Sequence, residues 1–317
     1  MGDKTGIEWT DATWNPVTGC DRLSPGCDHC YALTMAGRLK RMGSARYQRD
    51  GDPRTSGPGF GVTCHEDVLD QPLRWRRPRR IFVNSMSDLF HPDVPDLFIA
   101  QVFTVMALCP QHTFQILTKR PQRMASLLRH REACYDGWPL PNVWLGTSIE
   151  NDRYAFRADH LRATPAAVRF VSAEPLLGPL PSLDLTGIDW LIVGGESGPA
   201  ARPMHPDWVR DLRDRCLFRR EPCEQPEIPY PHSVRVEGGG RACACEFPSP
   251  VAFFFKQWGA WAPIEGAGIE FGRWVDVDGN TYSTFDLGRV LMSRFGKKSA
   301  GRLLDGRTWD EVPLVVS

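Results

Sequence analysis

The sequence predicts an α/β fold built on a parallel sheet, and three observations carry that reading. From residue 80 onward, apolar runs of strand length alternate with helix-length stretches, as when parallel strands are joined by helical crossovers. The runs are continuously apolar, so both faces of the sheet are covered, in a barrel or a doubly wound sheet. Polar residues follow one strand after another, which in a barrel places them on the single rim where active sites are built.

The strand-length runs lie at 80–84 (RIFVN), 113–117 (TFQIL), 142–147 (NVWLGT), 169–172 (RFVS), 189–193 (DWLIV) and 251–255 (VAFFF). Between them, residues 96–108, 121–130, 152–162 and 206–218 space their apolar side chains as on one helix face. Pro121 and Pro206 suit helix starts, where a backbone N–H is not needed. The polar segments after the strands are SMSD at 85–88, TKR at 118–120, SIEND at 148–152, AEP at 173–175 and GGESG at 194–198. Two regions break the alternation. Residues 221–250, rich in Pro, Gly and Cys, read as an insertion before the last strand. After Gly259 a hairpin is predicted around RWVDVDGNTYS, turning at Asp278-Gly279, followed by a short basic helix and a tail.

At 317 residues and 42% hydrophobic content the chain can bury a large core. No segment approaches the roughly 20 apolar residues of a membrane span, and the opening run MGDKTGIEWTDATWNP has no signal-peptide core. The expectation is a cytoplasmic protein with no membrane partner, whose ten cysteines stay reduced. Clustered cysteines then suggest metal. Basic and acidic residues number 38 each, so bulk electrostatics declare no polyanionic partner. Residues 38–80 nevertheless carry eleven basic side chains against five acidic ones, a local excess of six.

The segment GCDRLSPGCDHCYA brings Cys20, Cys27 and Cys30 within eleven residues. Thiolates so close in sequence can converge on one metal or cluster, and three ligands leave one position open for a small molecule. Pro25 and Gly26 can turn the loop. A structural zinc loop completed by His29, His65 or a remote cysteine is the bland alternative.

The runs IEWTDATWNPVTGC and SPGCDHCYA, with NSMSDLFH, ILTKRP, LGTSIE, AEPLLGP, GGESG, FFFKQWG and LLDGRTWDEVP, resemble the phage Gp37/Gp68 family. This three-Cys-motif family is a divergent branch of the radical S-adenosylmethionine superfamily. The superfamily usually spaces its cysteines CxxxCxxC; the six-residue first gap here matches the branch instead. The resemblance implies a [4Fe-4S] cluster on Cys20, Cys27 and Cys30, with S-adenosylmethionine chelated at the open iron, cleaved reductively, and a substrate hydrogen abstracted. It also implies a polar motif after the first rim strand that meets the methionine amino group; its counterpart is Asn84, Ser85, Ser87 and Asp88.

Along the rest of the rim, Lys119 or Arg120 could bind the methionine carboxylate or a substrate phosphate, while Ser148, Glu150 and Asn151 are placed for ribose hydroxyls. Surface or helix-capping roles compete at each position. With Lys119, Glu174 and Glu196 are the candidate catalytic groups; the two carboxylates either exchange protons, bind an adenine edge, or pair with Lys119 and Arg120. GGESGP fails as a nucleophile elbow because Pro199 stands where a glycine is needed. Lys256, Gln257 and Trp258 close the last strand with a cation, an amide and an aromatic ring, the last expected mainly to pack.

Cys216, Cys223, Cys243 and Cys245, with His232 among them, form a possible second metal site for zinc or an auxiliary iron-sulfur cluster. Arg74, Trp75, Arg76, Arg77 and Arg79 form a strip that could contact phosphates and stack a base, or simply be a solvated connector. The full expectation is a partial parallel (β/α) barrel of about six strands, radical-SAM-like, over residues 1–258, with the Cys-rich insertion at 221–250 and a C-terminal extension over 259–317. Its function would be radical S-adenosylmethionine chemistry in nucleic-acid repair or modification, including DNA-lesion cleavage, with an external electron donor. The alternative from a different class is a zinc-stabilised nucleic-acid-binding protein without catalysis.

Overall fold

A computed structural model of the protein describes residues 5–217 except 132 and 136, and 251–313 except 265–271, 284, 285 and 287; between them it describes the backbone of 233–235 and 241–243. Seven strands form one sheet: β1 (Ala12–Thr13), β2 (Arg80–Val83), β3 (Thr113–Thr118), β4 (Val143–Ser148), β5 (Val168–Ala173), β6 (Trp190–Gly194) and β7 (Ala252–Gln257). They lie side by side in chain order, and every neighbouring pair is parallel. The architecture is an open, curled parallel half-barrel. All six expected strands are present, and β1 is an additional one. Its two residues are too few for a pattern; backbone bonds of Asp11 to Arg80 (2.9 Å) and Trp14 to Phe82 (3.0 Å) set it against β2.

Helices α1 (Tyr31–Arg41), α2 (Asp96–Ala107), α3 (Pro121–Leu128), α4 (Arg157–Arg162) and α5 (Pro206–Leu217) occupy the connections. Pro121 and Pro206 do open their helices. The helical stretch expected at 152–162 divides into a 3-10 turn, Asp152–Tyr154, and α4. No strand-to-strand helix joins β5 to β6; Leu176, Leu180, Leu183 and Ile188 of that loop fill the core instead. Beyond β7, β8 (Trp261–Pro263), β9 (Arg273–Val275), β10 (Thr281–Tyr282) and β11 (Val290–Arg294) make an antiparallel sheet ordered β8-β11-β9-β10. The expected hairpin is β9–β10, with Gly279 at φ +87° in its turn.

Strand side chains alternate between two cores, as a period of two requires. Ile81, Phe114, Ile116, Leu145, Val171, Leu191 and Phe253 face the helices. Phe82, Trp144, Phe170, Trp190 and Phe254 face inward with Trp9 and form an aromatic cluster. Its rings meet edge-on or tilted, Trp190 lying 5.7 Å from Phe170, 5.9 Å from Trp144 and 6.0 Å from Phe254. The C-terminal segment closes the free edge of β7: Phe255 N–H bonds Trp309 O (2.9 Å), Phe253 N–H bonds the Glu311 carboxylate (3.0 Å), and the Trp190 indole donates to Glu311 O (2.8 Å). An edge so covered is withdrawn from intermolecular pairing.

Trp190 is fully buried at the centre of the inner cluster, so Trp190→Ala should destabilise the protein by about 3–5 kcal/mol, read as a lower urea midpoint in equilibrium unfolding.

Candidate functional site

A cavity of about 510 Å³ opens at the C-terminal ends of the strands, within the size range of small-molecule sites. Every strand delivers residues to it: the cysteine loop after β1, Asn84, Ser85, Ser87 and Asp88 after β2, Thr118 and Lys119 at β3, Ser148 at β4, Ser172 and Glu174 at β5, Glu196 and Ser197 after β6, and Lys256 and Gln257 at β7. Trp9 and Phe82 of the aromatic cluster form part of its wall.

Cys20, Cys27 and Cys30 all line this cavity, and the loop carrying them is held at several points. Gly19 N–H bonds Met86 O (3.0 Å), Ser87 Oγ bonds Val17 O (2.8 Å), and His91 contacts Asp21 (3.0 Å). Around Cys27 the chain forms a 3-10 turn, Pro25–Cys27. Arg202 donates to Pro25 O (2.8 Å), and His29 Nδ1 lies 3.1 Å from Glu196 Oε1. A side chain at Gly26 would collide with Glu150 and force that buried, paired carboxylate to shift. Burial, with Asp88 nearby, pushes the Cys20 thiol up to about 12, and burial raises Cys30 as well. Arg120 Nη1 sits 3.4 Å from Cys20 Sγ and donates to it.

Among the described residues no three His, Cys, Asp or Glu side chains converge as a single ion requires. One zinc draws its thiolates to about 2.3 Å from a common point. A cubane cluster binds its cysteines at separate iron corners, so three thiols around one cavity, one of them accepting a hydrogen bond from an arginine, suit that group chemically.

Of the charged residues predicted at the rim, Asp88, Lys119, Glu174 and Glu196 line the cavity while Arg120 and Glu150 do not, and most have partners the sequence did not indicate. Glu150 has no solvent exposure and lies behind the cavity wall, paired with Lys119 (2.7 Å) and Arg157 (3.0 Å) and bonded by Ser24 Oγ of the cysteine loop. Burial would raise its carboxyl, but Lys119 and Arg157 outweigh this and hold it below the usual range. Asp88 accepts from Thr118 Oγ1 (2.7 Å), Lys119 N (3.1 Å) and Arg120 (2.9 Å). Glu174 pairs with Lys256 (2.5 Å), and Glu196 with Arg202 (2.5 Å), rather than either with Lys119 or Arg120. Burial would raise Glu196 too, yet bonds from Arg202 and His29 leave it lowered. Ser85 bonds Asn15. Asn151 begins the 3-10 turn and stands outside the cavity lining, as Glu150 does. Asn84 differs from all of these: it is 3% exposed, lines the cavity, and neither its Nδ2 nor its Oδ1 has a partner.

The base-stacking role expected of Trp75 is corrected. Trp75 is buried against His112, with Arg79 stacked over it at 5.0 Å, so its ring is not available for a base. The strip it belongs to precedes β2 and so lies at the opposite end of the strands from the cavity; Arg74 pairs with Asp70, while Arg76 and Arg77 are exposed. Cys216 is buried against the apolar core on α5. Cys223, Cys245 and His232 lie outside the described residues, and of Cys243 only the backbone, in the short strand Arg241–Cys243, is described. Trp258 packs on Phe255 at 5.0 Å and donates to Leu303 O (2.8 Å).

A half-barrel with a thiol-lined rim cavity defines the class to which this chain belongs structurally. At the level of family, residues 4–222 and 242–313 match the family described as Protein of unknown function (DUF5131), and the chain belongs to that family. No curated protein matches it. Among solved structures it is similar to spore photoproduct lyase: a cysteine-to-serine mutant (14% identity, TM-score 0.35, covering 72% of this chain and 67% of that one) and a cysteine-to-alanine mutant with dinucleoside spore photoproduct (14%, 0.36, 72% and 66%). A further mutant of it, with bound AdoMet and dinucleoside spore photoproduct, gives 13% identity and a TM-score of 0.34 over 72% and 67%.

Glu150→Gln would leave Lys119 and Arg157 without their buried counter-charge, so it should cost about 3–5 kcal/mol at neutral pH. Because the folded-state carboxyl is lowered, the stability it contributes is complete above the unfolded value of about 4.3 and drains away as pH falls below it towards the folded one. Urea unfolding across that window should therefore be steeper in pH for the native chain than for Glu150→Gln.

Proposed function

We propose that this protein is a radical S-adenosylmethionine enzyme of the three-Cys-motif (Gp37/Gp68) branch. The observation that carries the reading is the placement of Cys20, Cys27 and Cys30 on one cavity to which all seven strand ends contribute. These cysteines would hold a [4Fe-4S] cluster. Such a cluster, when bound with S-adenosylmethionine and supplied with an electron, provides a 5′-deoxyadenosyl radical by reductive cleavage of the sulfonium.

The chain's own residues have definable tasks in that chemistry. Arg120 donates to Cys20 Sγ and, as a fixed cation beside a ligand sulfur, favours the more reduced state of whatever that sulfur binds. Asn84, with an unpaired donor and acceptor, is the residue available to orient the amino-acid end of the cosubstrate, with Ser87 and Asp88 beside it. Lys119, held by Glu150, offers a positive end to a carboxylate. The apolar wall of Trp9, Phe82 and Leu117 keeps water from a radical that would otherwise be quenched. Glu174, Glu196 and Ser148 complete the polar rim. The same reading takes residues 1–258 as the catalytic unit, 259–317 as its extension, a nucleic acid or nucleotide as substrate, an external donor as the electron source, and the cytoplasm as the location. No helix among the described residues is long and apolar enough to cross a membrane.

Anaerobically reconstituted protein should be brown, bind about four irons, and release 5′-deoxyadenosine from S-adenosylmethionine after reduction. Cys20→Ala, Cys27→Ala and Cys30→Ala should each lose iron and deoxyadenosine together. A colourless protein that retains zinc and forms no deoxyadenosine would overturn the assignment.

A further inference from the structure

The cavity has a second wall, opposite in chain order to the cysteine loop, that none of the groups above uses. It is formed where β7 ends. In a regular strand successive side chains point to opposite faces, and along β7 Phe253 and Phe255 face the helices while Phe254 faces inward. Continued alternation would turn Lys256 inward and Gln257 towards the helices. The register against β6 shifts between Phe255 and Gln257. This irregularity re-aims the chain, as bulges beside functional sites do, and both Lys256 and Gln257 line the cavity. Gly195 permits the distortion: a Cβ there would strike the Trp258 carbonyl, while Gly195 N–H bonds Gln257 O at 2.9 Å.

The side chain so placed is 5% exposed, and its Oε1 has no partner. Its Nε2 reaches Ser197 Oγ at 3.3 Å. A buried acceptor without a donor is destabilising, a cost a ligand N–H can remove. The charges around it are already matched: Lys256 with Glu174 (2.5 Å), and Lys297 with Glu8 (3.3 Å). Among the described residues, the fully buried unpartnered polar atoms of the cavity lining belong instead to neutral groups, Gln257 Oε1, both ends of the Asn84 amide, and the Trp9 indole nitrogen. Uncharged hydrogen-bonding groups in a cavity whose wall includes Trp9 and Phe82 match a flat, neutral ring that carries N–H groups on its edge.

We propose that the end of β7 is the substrate subsite, that the substrate presents a nucleobase there, and that Gln257 Oε1 accepts a hydrogen bond from a base N–H. This names the substrate class for the site described under Proposed function and rests on that reading for the chemistry that follows binding. Bases extruded from a stack are read in this manner, by edge hydrogen bonds in an apolar pocket.

The test is calorimetric titration of the full-length, reconstituted protein saturated with S-adenosylmethionine, using two pairs of probes: thymidine with N3-methylthymidine, and adenosine with N6,N6-dimethyladenosine. At least one parent nucleoside should bind, and methylation of its donor should weaken binding on the order of tenfold or more. Gln257→Leu should erase the difference within the pair, and Gln257→Glu, which keeps an acceptor, should retain it. The inference is overturned if neither parent binds, if methylation is without effect, or if Gln257→Leu still discriminates. Binding seen only without S-adenosylmethionine would also overturn it, since the base would then be occupying the cosubstrate's adenine position. Should Gln257→Leu fail to fold, the methylated probes decide the matter on the native chain. Because the readout is binding, a native chain that does not discriminate the methylated nucleosides but still releases deoxyadenosine refutes this inference alone. The converse result refutes the radical chemistry alone.

Discussion

Parallel pairing in chain order is the constraint from which the site follows. A strand can be parallel to the one before it only if the intervening chain returns to the starting end. Seven strands linked in this way send all their C-terminal ends to one rim. Residues separated by more than 200 positions, such as Cys20 and Gln257, thereby share a single cavity. The cysteine loop takes advantage of the same geometry. It leaves β1 and lies along the segment after β2, where Gly19 pairs with Ser87 as though the sheet continued for one more residue.

A rim so assembled brings many charged groups into a small, poorly hydrated space, and the electrostatics there are resolved by pairing. Glu150 is the deepest of them. One carboxylate neutralises Lys119 from the end of β3 and Arg157 from α4 while accepting from Ser24 of the cysteine loop, joining three distant segments. Glu196 does similar work from β6, touching Arg202 and His29. With these charges paired, the buried unpartnered atoms among the described residues of the cavity wall belong to neutral groups, Asn84, Gln257 and Trp9.

The sheet was readable in the sequence because strands buried on both faces leave uninterrupted apolar runs, and Phe114, Leu145 or Phe253 sit in such runs. β1 left no signal, being two residues long. α1 left little, since its contact with the core is through Ala32 and Ala36 and its outward face carries Tyr31 and Met35. At the site, the rim positions were legible from their place after each strand. Their partners were not, because Ser24 and Glu150 are 126 residues apart and Arg202 and Pro25 are 177 apart. Trp75 among arginines looked like a surface ring, but local sequence does not reveal that His112 stands beneath it. The turn of Gln257 into the cavity depends on a strand irregularity that composition does not encode.

The aromatic cluster also governs traffic. Trp190 and its neighbours fill the inner face, and the segment around Glu311 is fastened over them, so the half-barrel is stoppered at the end away from the rim. A vessel with one mouth imposes a queue. Two molecules that occupy it at different depths must arrive with the deeper one first and leave in the reverse order, whatever their separate affinities.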